Sequence, residues 1–262
     1  MPPKPLKFAI IADAHIGSAQ AAKPPKRFPE RARSLLRYVV TQLNSDVKPE
    51  FVVQLGDVIE AEDADEDEGN VETAADILRE LQMPVYHAIG NHEQAHLPLK
   101  TVCSMLKMSK PFYSFVCGPF RGIVLCPEKA GDEWCIGKEQ LKWLEQELAA
   151  AESKVIVFSH FPLVDVAEDE VEGDTMVAPA ELSNRADVRN VLAGSNKVRA
   201  VLSAHWHKNT LEELGGIHYL SIQSLVQNVS GARPSESFAV AKVFEDTATI
   251  EVAGMDPAEF RF

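Results

Sequence analysis

Long apolar runs are missing from this sequence. It has no stretch near the ~20 consecutive apolar residues that a membrane-spanning helix needs. The N-terminal residues Met1–Lys7 lead into a single short apolar run, Phe8–Ala12, which is too short for the apolar segment of a signal peptide. We therefore expect neither membrane insertion nor export.

Cysteine is scarce, and no two cysteines have the C-x-x-C spacing of a redox or zinc motif. Since no export signal is evident, we expect reduced, mostly buried thiols and a cytoplasmic location. The four cysteines are Cys103, Cys117, Cys126 and Cys135.

An excess of basic residues is also absent, and the formal net charge is −13. Two runs, Glu60–Glu68 and Asp165–Asp174, concentrate the carboxylates, and we expect both to be solvated loops. Their field opposes a polyanion such as duplex DNA, so no nucleic-acid partner is expected. The first run lacks the spaced ligands and the glycine of an EF-hand calcium loop.

The side chains that carry chemistry stand in five short blocks, each directly after an apolar, β-rich run. Because strand ends at the carboxyl edge of an α/β sheet meet in space, we expect these blocks to converge on one site. Two Asp, one Asn and four His are enough ligands for two metal ions with room for water. The blocks are Asp13-Ala14-His15, Gly56-Asp57, Gly90-Asn91-His92-Glu93, Ser159-His160 and His205-Trp206-His207.

Strand and helix patterns alternate up to the fourth block, and β-strands dominate after the fifth. This order predicts an α/β (α+β) fold with two stacked mixed sheets and helices outside. One domain over residues 1–262 is expected, because no division would leave the blocks together. The predicted helices are Arg31–Leu43, Val71–Leu81, Leu97–Met108, Gly137–Glu152 and Pro179–Leu192, and the predicted β-pairs are Tyr113–Val116 with Gly122–Cys126, Thr210–Leu214 with Ile217–Ile222, and Ser237–Phe244 with Thr247–Val252.

In the same order, the five blocks resemble the calcineurin-like metallophosphoesterase superfamily, whose pattern is D-x-H, G-D, G-N-H-(D/E), H and G-H-x-H. The resemblance runs from Asp13 to His207. It implies a four-layer α-β-β-α sandwich and a binuclear metal centre. In one departure, Ala204 replaces the glycine before the last histidine pair, so the backbone there must avoid glycine-only angles.

The resemblance also implies the metal ligands. Imidazole and carboxylate ligands suit Mn, Fe, Zn, Co or Ni better than Ca or Mg, and we favour Mn or Fe. No thiolate is among the expected ligands, which makes a structural zinc site a poor match. The expected ligands are Asp57 as the bridge, Asp13, His15 and His207 for the first metal, and Asn91, His160 and His205 for the second.

Asp57 and His92 are the expected catalytic residues. Two metal ions would stabilise charge on phosphate oxygens and lower the pKa of a bound water, and Asp57 would supply the anionic bridge between them. By the resemblance, His92 protonates the leaving group or clamps the transition-state oxygen. Glu93 is expected to accept a hydrogen bond from His92 or to orient it indirectly.

The predicted function is that of a two-metal phosphohydrolase. The favoured subclass is a phosphodiesterase or pyrophosphatase acting on a small, nucleotide-type phosphate ester. The resemblance favours the branch with cyclic-nucleotide phosphodiesterases and manganese-dependent ADP-ribose or CDP-alcohol diphosphatases. A phosphomonoesterase or protein phosphatase is the alternative. A non-catalytic scaffold of the same fold should lose ligands or the acid histidine, and this chain has Asp57, Asn91 and His92.

Other residues fall outside the predicted ligand set. His87 and His218 fall inside predicted strands and are interpreted as structural. For His96 two interpretations stay open, the rim of the pocket and a purely structural place. Trp206 either packs on the core or walls the pocket and stacks on a nucleobase. Substrate choice is expected in the loops Ser18–Phe28, Glu60–Asn70 and Asp165–Val177.

Overall fold

The computed structural model describes residues 4–21, 27–165, 181–228 and 233–262, and these form two six-stranded mixed sheets and a short two-stranded ribbon. In chain order the strands are β1 (Leu6–Ile11), β2 (Phe51–Leu55), β3 (Val85–Ala88), β4 (Tyr113–Cys117), β5 (Phe120–Val124), β6 (Glu128–Ala130), β7 (Glu133–Cys135), β8 (Lys154–Phe158), β9 (Val198–Ser203), β10 (Thr210–Leu214), β11 (Ile217–Ser221), β12 (Phe238–Val243), β13 (Ala248–Ala253) and β14 (Ala258–Arg261).

The helices are α1 (Ala32–Gln42), α2 (Ala64–Leu78), α3 (Leu99–Met105), α4 (Lys138–Ala150) and α5 (Arg185–Gly194). The predictions for α1 and α4 are confirmed to within two residues at each end. Helix α3 begins two residues later than predicted because Pro98 stands at its N-cap and disfavours helical angles in the preceding residue, and it ends three residues earlier, at Met105. Helix α5 begins six residues later than predicted, and Pro179 lies outside the described residues.

The strand order of each sheet gathers parallel strand ends on one edge. The first sheet runs β14-β13-β12-β1-β2-β3, with β1, β2 and β3 mutually parallel. The second runs β10-β11-β9-β8-β5-β4, with β5, β8, β9 and β11 parallel. The carboxyl ends of parallel neighbours open on the same edge of a sheet, so both sheets present loops there.

Three apolar layers hold the sandwich together. Between the sheets, the ring of Phe8 in β1 stacks on that of Phe51, with 4.9 Å between ring centroids. It also packs edge-on against Phe158 of β8, with 5.8 Å between centroids. Helices α1, α2 and α3 cover the outer face of the first sheet, and α4 and α5 cover that of the second. The central strands are buried on both faces, which is why their sequences are continuous apolar runs. The predicted α-β-β-α sandwich is confirmed.

The first acidic run is folded, and its prediction as a solvated loop was wrong. Helix α2 begins at Ala64 because the Asp63 side chain accepts hydrogen bonds from the backbone N–H groups of Asp65 and Glu66, both at 3.0 Å. Carboxylates in the first turn also interact favourably with the helix dipole. Asp67 is fully buried and accepts a hydrogen bond from the Glu62 N–H at 2.8 Å.

The second acidic run lies almost entirely outside the described residues. Its first member, Asp165, is exposed and pairs with Arg185 at the start of α5. Parts of two predicted specificity loops, residues 22–26 and 166–177, also lie outside the described residues.

The two β-pairs predicted after the fifth block are confirmed as β10 with β11 and β12 with β13. Gly215 and Gly216, at φ values of 62° and 76°, form the turn between β10 and β11. Strand β14 and the ribbon of β6 and β7 were not predicted, since they are only three or four residues long, too short for a periodic pattern to be recognised.

All four cysteines are free thiols, as predicted. Three of them are buried, and Cys135 is half-buried. Among the described residues no helix is both long and apolar enough to cross a bilayer. The assignment of residues 1–262 to one domain stays a prediction.

His87 lies in β3, and the structural interpretation suits its surroundings. Its backbone N–H and C=O both hydrogen-bond the Tyr113 hydroxyl, at 2.9 and 3.0 Å. Its ring Nδ1 is buried and has no hydrogen bond to the described residues. Burial disfavours the charged ring and lowers the pKa of His87 to about 4.

We expect His87 to destabilise the protein in mild acid. The unfolded ring takes up a proton below its ordinary pKa of ~6.5, whereas the buried ring stays neutral until about pH 4. By linkage, the unfolding free energy should lose about 2 kcal/mol from this group between pH 7.5 and pH 5. Urea unfolding of the wild type and of His87→Leu at both pH values measures it. An equal acid sensitivity of the two proteins would contradict the assignment.

Candidate metal centre

The structure brings the seven predicted ligands together at the carboxyl ends of five strands. Strands β1, β2 and β3 supply four of them from the first sheet, and β8 and β9 supply three from the second. They form overlapping groups whose donor atoms lie within 4.8 Å of one another. The groups with His, Asp or Glu donors are Asp13–His15–His207, His15–Asp57–His92 and Asp57–His160–His205.

The first cluster consists of Asp13, His15 and His207, and the two imidazole rings converge through their Nε2 atoms. The Nε2 atoms of His15 and His207 are 3.1 Å apart, and Asp13 Oδ1 is 3.5 Å from His207 Nε2. Asp13 and His15 are fully buried, and His207 is nearly so.

The second cluster gathers around the fully buried His160. Its Nε2 atom lies 3.1 Å from Asn91 Oδ1 and 3.1 Å from His205 Nδ1. On the other side of the ring, Nδ1 donates to the carbonyl oxygen of Leu55 at 2.9 Å. That bond places the ring proton on Nδ1 and leaves the Nε2 lone pair directed at the cluster.

Asp57 lies between the two clusters. Its Oδ2 atom is 3.9 Å from His15 Nε2 and 3.3 Å from His160 Nε2, whereas Oδ1 accepts the backbone N–H of His92 at 3.0 Å. Burial alone would raise the pKa of Asp57, but the charges of His160 and His92 outweigh it and hold that pKa well below its ordinary value. The carboxylate is therefore ionised and able to bridge two cations.

The donor spacings fit divalent metal ions. Two ligand atoms each about 2.1 Å from one ion, at tetrahedral or right angles, stand about 3.0–3.4 Å apart. The separations of 3.1 Å in both clusters meet this requirement. The nitrogen and oxygen donors, with no thiolate among them, are those of borderline divalent metals.

Most of the predicted ligands are carried on left-handed backbone. Non-glycine residues rarely adopt positive φ, and each such residue costs about 1–3 kcal/mol. Here the sharp turns after the strands direct side chains toward the sheet edge. The ligands concerned are Asp13 (φ 48°), His15 (47°), Asp57 (50°), His205 (69°) and His207 (53°).

Two glycines make room for these turns. Gly56 has φ of +94°, and a Cβ there would lie 2.7 Å from His160 Nδ1. A Cβ on Gly90 would lie 2.1 Å from Asp57 Oδ1, far inside van der Waals contact with that carboxylate. Ala204 is not among the residues with positive φ, so the predicted avoidance of glycine-only angles is confirmed.

Glu93 supports the backbone and does not bind the His92 ring, so the prediction of a direct hydrogen bond from His92 was wrong. The buried carboxylate accepts from the N–H groups of Gly90 at 2.7 Å and Asp57 at 3.1 Å, and also from Val58. Burial and the nearby Asp57 charge raise the pKa of Glu93 to about 7.

His92 instead receives a hydrogen bond from the turn before α2. The backbone N–H of Ala61 donates to His92 Nδ1 at 3.1 Å, and Nε2 lies 3.8 Å from Asp57 Oδ2. Since Nδ1 accepts, the ring proton is on Nε2, which faces the centre. The ring packs edge-on against His15, with 4.6 Å between ring centroids.

Sequence reasoning missed three residues beside the first cluster. Glu60, only 3% exposed, lies 3.3 Å from His15 Nδ1 and binds Arg27, and Gln227 accepts from His207 Nδ1 at 2.5 Å. Glu60 had a sequence signal, because it closes the apolar stretch Val58–Ile59 directly after the Asp57 block. Arg27 and Gln227 lie in no motif.

His96 and Trp206 are not members of either cluster. His96 is 40% exposed and lies 2.9 Å from the carboxylate of Asp67, so the structure gives it a role in holding α2. Trp206 is half-buried, whereas its neighbour His205 packs on Phe161 with 4.3 Å between ring centroids.

The calcineurin-like phosphoesterase family profile matches residues 6–209. The chain belongs to this family. A manganese-dependent ADP-ribose/CDP-alcohol diphosphatase from rice is 22% identical over 91% of this chain and 88% of its own length. A probable cyclic nucleotide phosphodiesterase from Synechococcus is 27% identical over 64% of this chain and 61% of its own.

The fold comparison agrees with the family assignment. A dimetal phosphatase from Danio rerio superimposes with a TM-score of 0.78, covering 98% of this chain and 99% of that one at 19% identity. The predicted enzyme class, a metal-dependent phosphoric ester hydrolase, is thereby confirmed, and divalent metal ions are its cofactors.

We expect Gly90→Ala to damage the centre. The added Cβ would lie 2.1 Å from Asp57 Oδ1 and 2.8 Å from the Asp57 backbone N, so the Asp57 side chain and the turn that carries it must shift away from both clusters. Metal content after dialysis against Mn²⁺ should fall below that of the wild type. Gly69→Ala in α2 is the matched control, since a Cβ there meets nothing within 4 Å. Full metal content in Gly90→Ala would contradict the role of Asp57.

Proposed function

We propose that this chain uses two manganese ions to hydrolyse a phosphodiester or diphosphate bond in a small, nucleotide-type substrate. The observation that carries the proposal is the position of Asp57 Oδ2, which lies between two donor clusters, 3.9 Å from His15 Nε2 and 3.3 Å from His160 Nε2. Two ions sharing this oxygen would be close enough to act on one phosphoryl group.

The proposed ligands follow the two clusters. Asp57 is the shared ligand, and the separations between the other donors support the division into two sets. The first ion would be held by Asp13, His15 and His207, and the second by Asn91, His160 and His205.

Manganese is the proposed metal, with iron as the runner-up. Each ion would have two imidazoles and two oxygen-donor side chains, a mixed set that suits Mn²⁺. The rice relative named above is described as manganese-dependent. Iron is supported only by the chemistry of the donor set.

The substrate class follows from the relatives and from charge. The diphosphatases are named for ADP-ribose and CDP-alcohols, and the Synechococcus relative for cyclic nucleotides. ADP-ribose and CDP-alcohols contain a diphosphate bond, and a cyclic nucleotide contains a phosphodiester. The net charge of −13 opposes long nucleic acids, and four free thiols support a reducing location such as the cytoplasm.

The chain's own groups would position and stabilise the reacting phosphoryl. When bound, the ions would neutralise phosphate charge and lower the pKa of water. His92 would donate from Nε2 to a phosphoryl oxygen as charge builds on it. We favour this clamp over proton donation to the leaving group, because Nδ1 accepts from Ala61 N–H and the ring therefore directs its Nε2–H at the centre, 3.8 Å from Asp57 Oδ2.

A substrate panel tests the proposal. Metal-stripped protein reloaded with Mn²⁺ is assayed against ADP-ribose, CDP-choline, 3′,5′-cyclic AMP, bis-p-nitrophenyl phosphate and p-nitrophenyl phosphate. We expect Mn-dependent turnover, with diesters or diphosphates preferred over the monoester. Preference for the monoester would favour the phosphomonoesterase alternative, and no turnover with two ions bound would favour a scaffold.

We expect His92→Ala to keep both metal ions and to lose about 10²–10³-fold in kcat, the usual effect of removing one donor to a developing oxyanion. As a clamp on a phosphoryl oxygen, His92 should matter equally for good and poor leaving groups. Rates for a series of aryl phosphodiesters measure this. His96→Ala is the matched control, since its ring binds Asp67 outside the centre. A loss that grows with leaving-group pKa would instead show proton donation.

A further inference from the structure

Each histidine of the first cluster has a polar side chain beside its Nδ1 atom, and within the described part of the chain only that of His207 makes a hydrogen bond. Their Nε2 atoms converge to 3.1 Å, so the opposite ring nitrogens face outward from the centre. For His207, Nδ1 donates to the side-chain oxygen of Gln227 at 2.5 Å. For His15, Nδ1 faces Glu60 Oε2 at 3.3 Å and has no hydrogen bond to the described residues.

Such contacts fix which ring nitrogen can bind a metal. A proton held on Nδ1 by an oxygen acceptor leaves the Nε2 lone pair free, and the contact also fixes the plane of the ring. Removal of a partner of this kind costs about 10–100-fold in metal affinity in other metalloproteins. Gln227 and Glu60 therefore act on the first cluster without touching an ion.

Glu60 depends in turn on Arg27. One guanidinium nitrogen, Nη1, donates to both carboxylate oxygens, at 2.9 and 2.7 Å. Both side chains are almost buried, with 11% of Arg27 and 5% of Glu60 exposed. These two hydrogen bonds fix the position of the Glu60 carboxylate, so Arg27 holds Glu60 beside His15 Nδ1.

Arg27 and Gln227 are neighbours, although 200 positions separate them in the sequence. They form an isolated antiparallel β-bridge, and the N–H of Phe28 donates to the Val226 carbonyl at 3.3 Å. The segment that carries Gln227 is tied to the first ligand block as well, because Ser224 Oγ donates to the Asp13 carbonyl at 2.8 Å.

We propose that this bridge, the Arg27–Gln227 clip, is a positioning device that sets the metal affinity of the first site through His15 and His207. The inference rests on the proposed two-metal function. One side of the clip acts on His15 through Glu60, and the other acts directly on His207. Neither Arg27 nor Gln227 is a metal ligand.

The second site is supported independently of the clip. His160 Nδ1 donates to the carbonyl of Leu55, which belongs to the buried strand β2. Loss of the clip should therefore weaken one site and leave the other unchanged. This selectivity separates a positioning role from a general loss of stability.

The test uses Gln227→Leu, which removes the acceptor at similar size, and Gln227→Glu, which keeps an acceptor oxygen. Metal-free proteins are titrated with Mn²⁺, and free Mn²⁺ is followed by electron paramagnetic resonance. The melting temperature of each metal-free protein is measured alongside. Gln82→Leu is the matched control, because Gln82 is exposed and bonds through its backbone N–H to Asn44.

We expect two sites in the wild type and in Gln82→Leu. In Gln227→Leu one site should weaken about 10–100-fold and the other should keep its affinity, and Gln227→Glu should recover most of the loss. Arg27→Met should weaken the same site, through Glu60 and His15.

Two results would overturn the clip while the proposed function stands: wild-type affinity at both sites in Gln227→Leu, or equal weakening of both sites with a lower melting temperature. If the wild type binds fewer than two Mn²⁺, the proposed function fails and the clip fails with it.

Discussion

The metal centre depends on a buried carboxylate that is not one of the predicted ligands. Glu93 accepts backbone N–H groups from the turn after β2 and from the turn after β3, and so ties the two turns together. Asp57 is thereby held with one oxygen on the His92 N–H and the other between the two sheets. A carboxylate buried without such donors would cost several kcal/mol, so these bonds keep Glu93 in place.

The sandwich supplies the rigidity that this arrangement needs. Five ligands sit on left-handed backbone, at about 1–3 kcal/mol each, and such angles persist only where the surroundings enforce them. The turns follow strands packed on both faces, so their positions are fixed by three apolar layers. Two sheets, each contributing strand ends, allow ligands from opposite sides to meet around Asp57.

The sequence was informative where chemistry and strand ends coincide. The predicted ligands converge because each follows a buried parallel strand, and that pattern is visible in the residues alone. The acidic run was misread, although Asp63 followed by Asp65 and Glu66 is a readable helix start. Arg27 and Gln227 could not be predicted, because a β-bridge between residues 200 positions apart has no local signature.

The supporting contacts differ between the two clusters in a way that no motif records. In the second cluster, His160 is held by the backbone carbonyl of a buried strand. The first cluster is instead supported by side chains, those of Gln227 and of Glu60 with its partner Arg27. Two ions with unequal support can differ in affinity while sharing one bridging oxygen. The family resemblance implies two ions. The hydrogen bonds of this chain support the two proposed ion sites unequally.

The central claim is that two ions share Asp57. Anomalous diffraction at the manganese edge from Mn-loaded crystals tests it most directly. The account predicts two anomalous peaks, one beside Asp13, His15 and His207 and one beside Asn91, His160 and His205, both in contact with Asp57 Oδ2. A single peak, or two peaks of which only one touches Asp57, would contradict it.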